Sequence, residues 1–138
     1  LALRQVAVPD AALGMAHSLV AGITAILPEA GPQDGVMVLP ADMPGFTGAA
    51  LADLIARHRA EPDLILRGAT IGGEPGHPVI FPRDLWPELL ALSGDEGGRA
   101  VLQRHAGRVR AIPLPGRMAV LDLDTPEDWA AFRAAGPV

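Results

Sequence analysis

The chain has 138 residues, with 11 basic and 16 acidic side chains and a formal charge of −5. Every basic residue is Arg, and Lys, Cys, Tyr and Asn are absent. These absences exclude a disulfide framework, a thiolate zinc site and a cysteine nucleophile, a Walker A phosphate loop and Schiff-base chemistry. The acidic balance and the few aromatics (3 Phe, 2 Trp) argue against a nucleic-acid partner. A composition 49% hydrophobic and 20% charged is that of an ordinary globular protein. The length suits a single domain over residues 1–138. No apolar run approaches the roughly 18 residues of a membrane span, and no signal-peptide pattern opens the chain.

In chain order, residues 1–8 read as a strand already under way, stopped by Pro9 and Asp10. Gly14 opens a helix whose apolar residues Met15, Leu19, Ile23, Ile26 and Leu27 recur at three- and four-residue spacing, which assigns Met15 and Leu19 to the core. Gly31-Pro32 ends it. Residues 35–39 (GVMVL) form an unbroken apolar run, the pattern of a strand covered on both faces. Thr47 is placed to cap a second helix carrying Leu51, Leu54, Ile55 and His58 on one face. Residues 63–67 and 78–81 read as strands around a glycine-rich turn, Gly72 to Gly76. Short helices follow over 82–92 and 97–105, then strands over 109–114 and 118–123. Thr125-Pro126-Glu127-Asp128 is a helix start, with a hydroxyl at the cap, Pro at the first position and acids in the first turn. The alternation of strands and helices predicts an α/β fold with a mostly parallel sheet.

Five segments can carry chemistry. In Leu39-Pro40-Ala41-Asp42-Met43-Pro44 an acid sits just past the carboxyl end of a strand, where open α/β sheets bind ligands. An Asp there suits a hard cation such as Mg²⁺; the alternative is a turn cap between prolines. In Asp122-Leu123-Asp124, alternate strand residues point the same way, and two like charges so close call for a cation or donors. The alternative is that Asp124 assists the Thr125 cap. At Gly14-Met15-Ala16-His17-Ser18 a glycine at a helix start lets a ligand approach free N–H groups. His17 beside Ser18 does not suggest a hydrolase, because no G-x-S-x-G elbow is present. Gly76-His77-Pro78 closes the glycine-rich turn, where a loop histidine is usually only exposed. Ser93 to Arg99 is a glycine-rich loop with an Arg able to fork onto phosphate or to stay solvated. The four histidines lack zinc-binding spacing, and His58 and His105 read as favouring helix C-termini.

Taken in order, GMAHSLVAG (14–22), VLPADMP (38–44), PGHPVIFPR (75–83), SGDEGGRAVL (93–102) and LDLDTPED (121–128) resemble the MobA-like nucleotidyltransferases, most closely the molybdenum cofactor cytidylyltransferase branch. The resemblance implies a Rossmann-like, three-layer nucleotidyltransferase fold with a mostly parallel sheet, incomplete at the N-terminus. It implies a Mg²⁺-dependent transfer of CMP from CTP to molybdopterin with release of pyrophosphate, in the cytoplasm. Carried over by position, Asp42 matches the catalytic metal-binding acid, and Asp122 or Asp124 the second acidic position. Gly14, Met15 and Ser18 match the nucleotide side. Gly76, His77, Pro78, Asp95 and Arg99 match segments near the pterin substrate. The family's N-terminal glycine-rich loop and its Lys have no counterpart here. The chain therefore corresponds to roughly the last two thirds of such an enzyme, and no turnover is expected from it alone. Alternatives are a guanylyl or sugar-phosphate nucleotidyltransferase, or a non-catalytic module retaining the fold. A sheet lacking its first strands exposes an edge, so a homo-oligomer is expected.

Overall fold

The structure, a computed structural model, describes residues 3–136. Its elements are α1 (Met15–Ile26), β1 (Gly35–Val38), α2 (Gly48–Ala60), β2 (Ile65–Ala69), β3 (Pro75–Pro82), α3 (Trp86–Leu90), α4 (Arg99–Arg104), β4 (Val109–Pro113) and α5 (Pro126–Ala135). They fall into two compact units, the first of residues 1–36, 62–65 and 81–109, the second of 37–61, 66–80 and 110–138.

In the first unit α1 packs on α3. Ala16 and Ile23, seven positions apart on one helix face, are buried. Phe81, Leu85, Trp86, Leu89, Val101 and Leu102 supply most of the remaining core. Trp86 is 1% exposed, and its indole N–H donates to the Phe81 carbonyl at 3.2 Å, so the polar end of a large apolar side chain is satisfied. Polar ties hold the surface. Arg108 forks onto both Asp84 oxygens at 2.8 and 2.9 Å and also donates to the Asp63 carbonyl. His105 does not sit free at its helix end, because its Nε2 meets both Glu88 oxygens at 3.0 Å.

The second unit holds the body of a four-stranded sheet, ordered β1-β3-β2-β4. The sheet is mixed, which corrects the expectation of a mostly parallel one: β2 and β3 are antiparallel and only the β2–β4 pair is parallel. The reason is local. Only residues 70–74 join β2 to β3, and a parallel pair needs a crossover of about a dozen residues. The Thr70 hydroxyl accepts from the Glu74 N–H at 3.0 Å, and Gly73 takes the left-handed conformation (φ 93°) that the reversal requires. Leu66 then faces Ile80, and Arg67 faces Val79.

Other expectations are corrected. Residues 3–8 carry no strand; residues 1 and 2 of that reading lie outside the described residues. The apolar run in β1 is half-buried along its length, because β1 ends the sheet order and has one neighbour among the described strands. Residues 118–123 are not a strand either. Gly116 (φ 53°) turns the chain, and Val120 and Leu121 both bond back to the Arg117 carbonyl at 2.9 Å. His58, read on one α2 face with Leu54 and as favouring the helix C-terminus, is buried with Leu54. Both expected caps form. Thr47 Oγ1 accepts from the Ala50 N–H at 3.2 Å, and Thr125 and Asp128 make a reciprocal capping box at the start of α5.

Candidate metal centre and flanking residues

Asp42, Asp122 and Asp124 come together in the second unit. One carboxylate oxygen from each lies within 4.8 Å of the others. The backbone arranges this. Past β1 the chain turns at Pro40, and Met43 is buried, which anchors the loop carrying Asp42. The Leu123 N–H donates to the Asp42 carbonyl at 2.9 Å, while the Leu123 side chain is 5% exposed and turned inward. Asp122 and Asp124, on either side of the buried Leu123, are both exposed. The strand expected there is absent, yet the alternation of exposure expected of Asp122, Leu123 and Asp124 is present.

Like charges at this spacing repel. Asp122 foremost, then partial desolvation, Asp42 and Asp128 push the Asp124 carboxyl above the ordinary carboxylate range. Asp128 does not share that fate, because the Thr125 hydroxyl and N–H stabilise its charged form and hold its carboxyl low. Asp128 is therefore committed to the cap, and Asp124 is left with the acidic trio.

His77 lies on β3 and is half-buried, joined to the buried Pro78 by a cis peptide bond. Its N–H donates to the Ala119 carbonyl at 2.7 Å, tying β3 to the segment that leads into Asp122. Burial first, then the Arg67 charge, hold its ring below the ordinary histidine range, against an opposing pull from Asp42. Its Nδ1 is buried without a hydrogen-bond partner among the described residues. Gly76 presses on the Ala119 carbonyl so closely that no Cβ fits. Arg67 was missed in the sequence. Its Nε donates to the Gly76 carbonyl at 3.0 Å, and its charge reaches His77. The available signal was a lone cation within an otherwise apolar strand.

The remaining expected site residues lie in the first unit. Gly14 takes φ 135° and abuts the Gly94 carbonyl and the Asp95 N–H, where a side chain would overlap backbone. The Ala16 N–H donates to that same Gly94 carbonyl at 3.1 Å. The 14–18 and 93–99 segments therefore meet. Ser18, Asp95 and Arg99 are exposed. Met15, expected in the core, is 66% exposed, because it sits one step off the Ala16–Ile23 stripe.

A set of three carboxylates offers only hard oxygen ligands, which suit Mg²⁺ or Mn²⁺ and not a soft metal. The raised Asp124 carboxyl marks negative charge that the surrounding residues leave unbalanced. The residues present therefore fit a divalent cation.

This chain belongs to the MobA-like NTP transferase domain family, which it matches over residues 1–109. Asp42 and the Gly76–His77–Pro78 segment fall inside that match, whereas Asp122 and Asp124 lie beyond it. The purine catabolism protein PucB of Bacillus subtilis (strain 168) is 31% identical over 129 residues, covering 91% of this chain and 59% of PucB. Among solved structures, the homolog of Mycobacterium tuberculosis rv0371c from Mycobacterium sp. strain JC1 aligns with TM-score 0.64 and 32% identity, over 86% of this chain and 56% of that one. Rv0371c of Mycobacterium tuberculosis H37Rv in complex with manganese aligns with TM-score 0.60 and 27% identity, over 79% and 58%. The chain thus spans less than two thirds of these relatives' length.

Proposed function

We propose that this chain supplies the metal-holding and acceptor-side residues of a nucleotidyltransferase that moves CMP from CTP to molybdopterin. The observation that carries the reading is the convergence of Asp42, Asp122 and Asp124. The manganese complex of a related protein supports it. The cytidylyl assignment rests on the resemblance of LDLDTPED to that branch; the guanylyl branch tends to carry amides there.

Asp42, Asp122 and Asp124 would hold the cation. A bound Mg²⁺ offsets negative charge on the α-phosphoryl group and on the departing pyrophosphate. The attacking group is a phosphate already ionised at neutral pH, so no general base is needed from the protein. The work left to the side chains is positioning. His77, kept neutral beside Asp42 and Arg67, adds no positive charge to compete for the carboxylates. Gly14 and Ser18 serve the nucleotide side, and Asp95 and Arg99 the acceptor.

The test is turnover by the product of the longest reading frame containing this chain. Pyrophosphate release from CTP plus molybdopterin, dependent on Mg²⁺ and lost in Asp42→Asn, is the expected result. Release with GTP but not CTP would overturn the cytidylyl reading. Full activity in Asp42→Asn would remove the metal role.

A further inference from the structure

The first unit contains a cavity lined by none of the residues assigned above to the transfer reaction. Its volume is about 310 Å³, near the lower end for small-molecule sites. Its apolar lining includes Val20 and Ala21 of α1 and Leu90 and Leu92. Its polar lining residues are Asp10, His17 and Ser93.

Asp10 and Ser93 share one character, that of acceptors. The Asp10 carboxylate has only acceptors. One of its oxygens lies 2.6 Å from His17 Nδ1, so that ring nitrogen donates to it. The Ser93 hydroxyl spends its proton on Glu96 at 3.0 Å and keeps only lone pairs. No Lys or Arg lines the cavity. An anion would meet the Asp10 carboxylate and no guanidinium or ammonium group.

We infer that this cavity binds a small organic cation with a flat or compact apolar body, of the amidine or amine class. The apolar part lies between Val20, Ala21, Leu90 and Leu92. The cationic N–H groups pair with the Asp10 carboxylate and the Ser93 oxygen. The site is separate from the acidic trio, since every lining residue belongs to the first unit. The inference does not depend on the transfer reaction.

The experiment is an NMR titration of the ¹⁵N-labelled 138-residue chain with benzamidine, and in parallel with benzoate, an anion of similar shape. Saturable benzamidine shifts at the amides of residues 16–21 and 90–93, absent with benzoate, are expected. Asp10→Asn removes the charge from an exposed position and is expected to weaken benzamidine at least about tenfold, as loss of a charge-assisted hydrogen bond does. Val20→Trp fills the cavity and abolishes the shifts; where that variant does not fold, Asp10→Asn decides alone. Three results would overturn the inference: equal shifts from both probes, benzamidine shifts centred on Asp42, Asp122 and Asp124, or unchanged affinity in Asp10→Asn.

Discussion

Replacing Gly76 with Ala tests whether β3 and the acidic segment are locked together as described. A Cβ at this position runs into the backbone carbonyl of Ala119 and comes within 3.0 Å of Val120 Cγ1. Backbone cannot rotate away as a flexible side chain can, so one segment must shift. Overpacking of this kind costs about 1–3 kcal/mol. The shift also breaks the 2.7 Å bond from the His77 N–H to the Ala119 carbonyl, which adds about 1 kcal/mol. The expected loss is therefore about 2–4 kcal/mol. With a urea m-value near ~2 kcal/mol/M, the midpoint falls by about 1–2 M. Because Ala119 lies just upstream of Asp122, Mn²⁺ affinity is expected to fall as well. A midpoint and a metal affinity both equal to the parent chain's would refute the packing described for Gly76.

Three further outcomes are expected. Thr125→Ala removes half of the capping box at α5 and should cost about 0.5–2 kcal/mol in urea unfolding; no change would mean that the cap contributes nothing. His77 is held below the ordinary histidine value of 6.5, so the folded state resists its protonation. The unfolded chain then binds the extra proton first, and stability present above about pH 6.5 declines as pH falls towards the folded value. His77→Gln should flatten that part of the urea-midpoint profile, and an unchanged slope would assign it to another group. Asp84 is held low chiefly by its bond to Arg108, so its stabilisation exists above the ordinary 3.8 and is lost as pH falls below it. Asp84→Asn should reduce the acid-side slope; an unaltered slope would count against the fork.

The helices and caps were legible because their signals are local. Thr47 and Thr125 each precede a residue pattern that permits little besides a cap. The position of Asp42 past the carboxyl end of β1 marked it for a cation or for a turn cap alike, and only the structure shows that it meets Asp122 and Asp124. Strand direction was not legible, since it depends on which segments meet and not on periodicity. The turn after Thr70 held that information, because its shortness alone excludes a crossover. Residues 118–123 misled because Ala119-Val120-Leu121 has strand composition, whereas the conformation is decided upstream by Gly116. Arg67 and the Asp10–His17 pair were invisible for a related reason. Their roles arise from residues distant in sequence or across a turn, and neither forms a spaced motif.

The fold and the site rest on a shared device. Buried residues fix loops whose neighbours are polar: Met43 beside Asp42, and Leu123 between Asp122 and Asp124. The backbone bond from Leu123 to Asp42 joins the two loops. Repulsion among the three acids opposes folding, and the apolar anchors overcome it. That arrangement concentrates negative charge at one place without help from the chain's net charge.

The central claim is that these three acids form one divalent-cation site. Titrating the chain with Mn²⁺, followed by electron paramagnetic resonance, tests it without any substrate. One saturable site is expected, displaced by excess Mg²⁺ and weakened at least about tenfold by Asp42→Asn, Asp122→Asn or Asp124→Asn, each of which removes one hard ligand. Affinity should also rise with pH as the elevated Asp124 carboxyl loses its proton. Mn²⁺ binding left intact in all three variants would contradict the account.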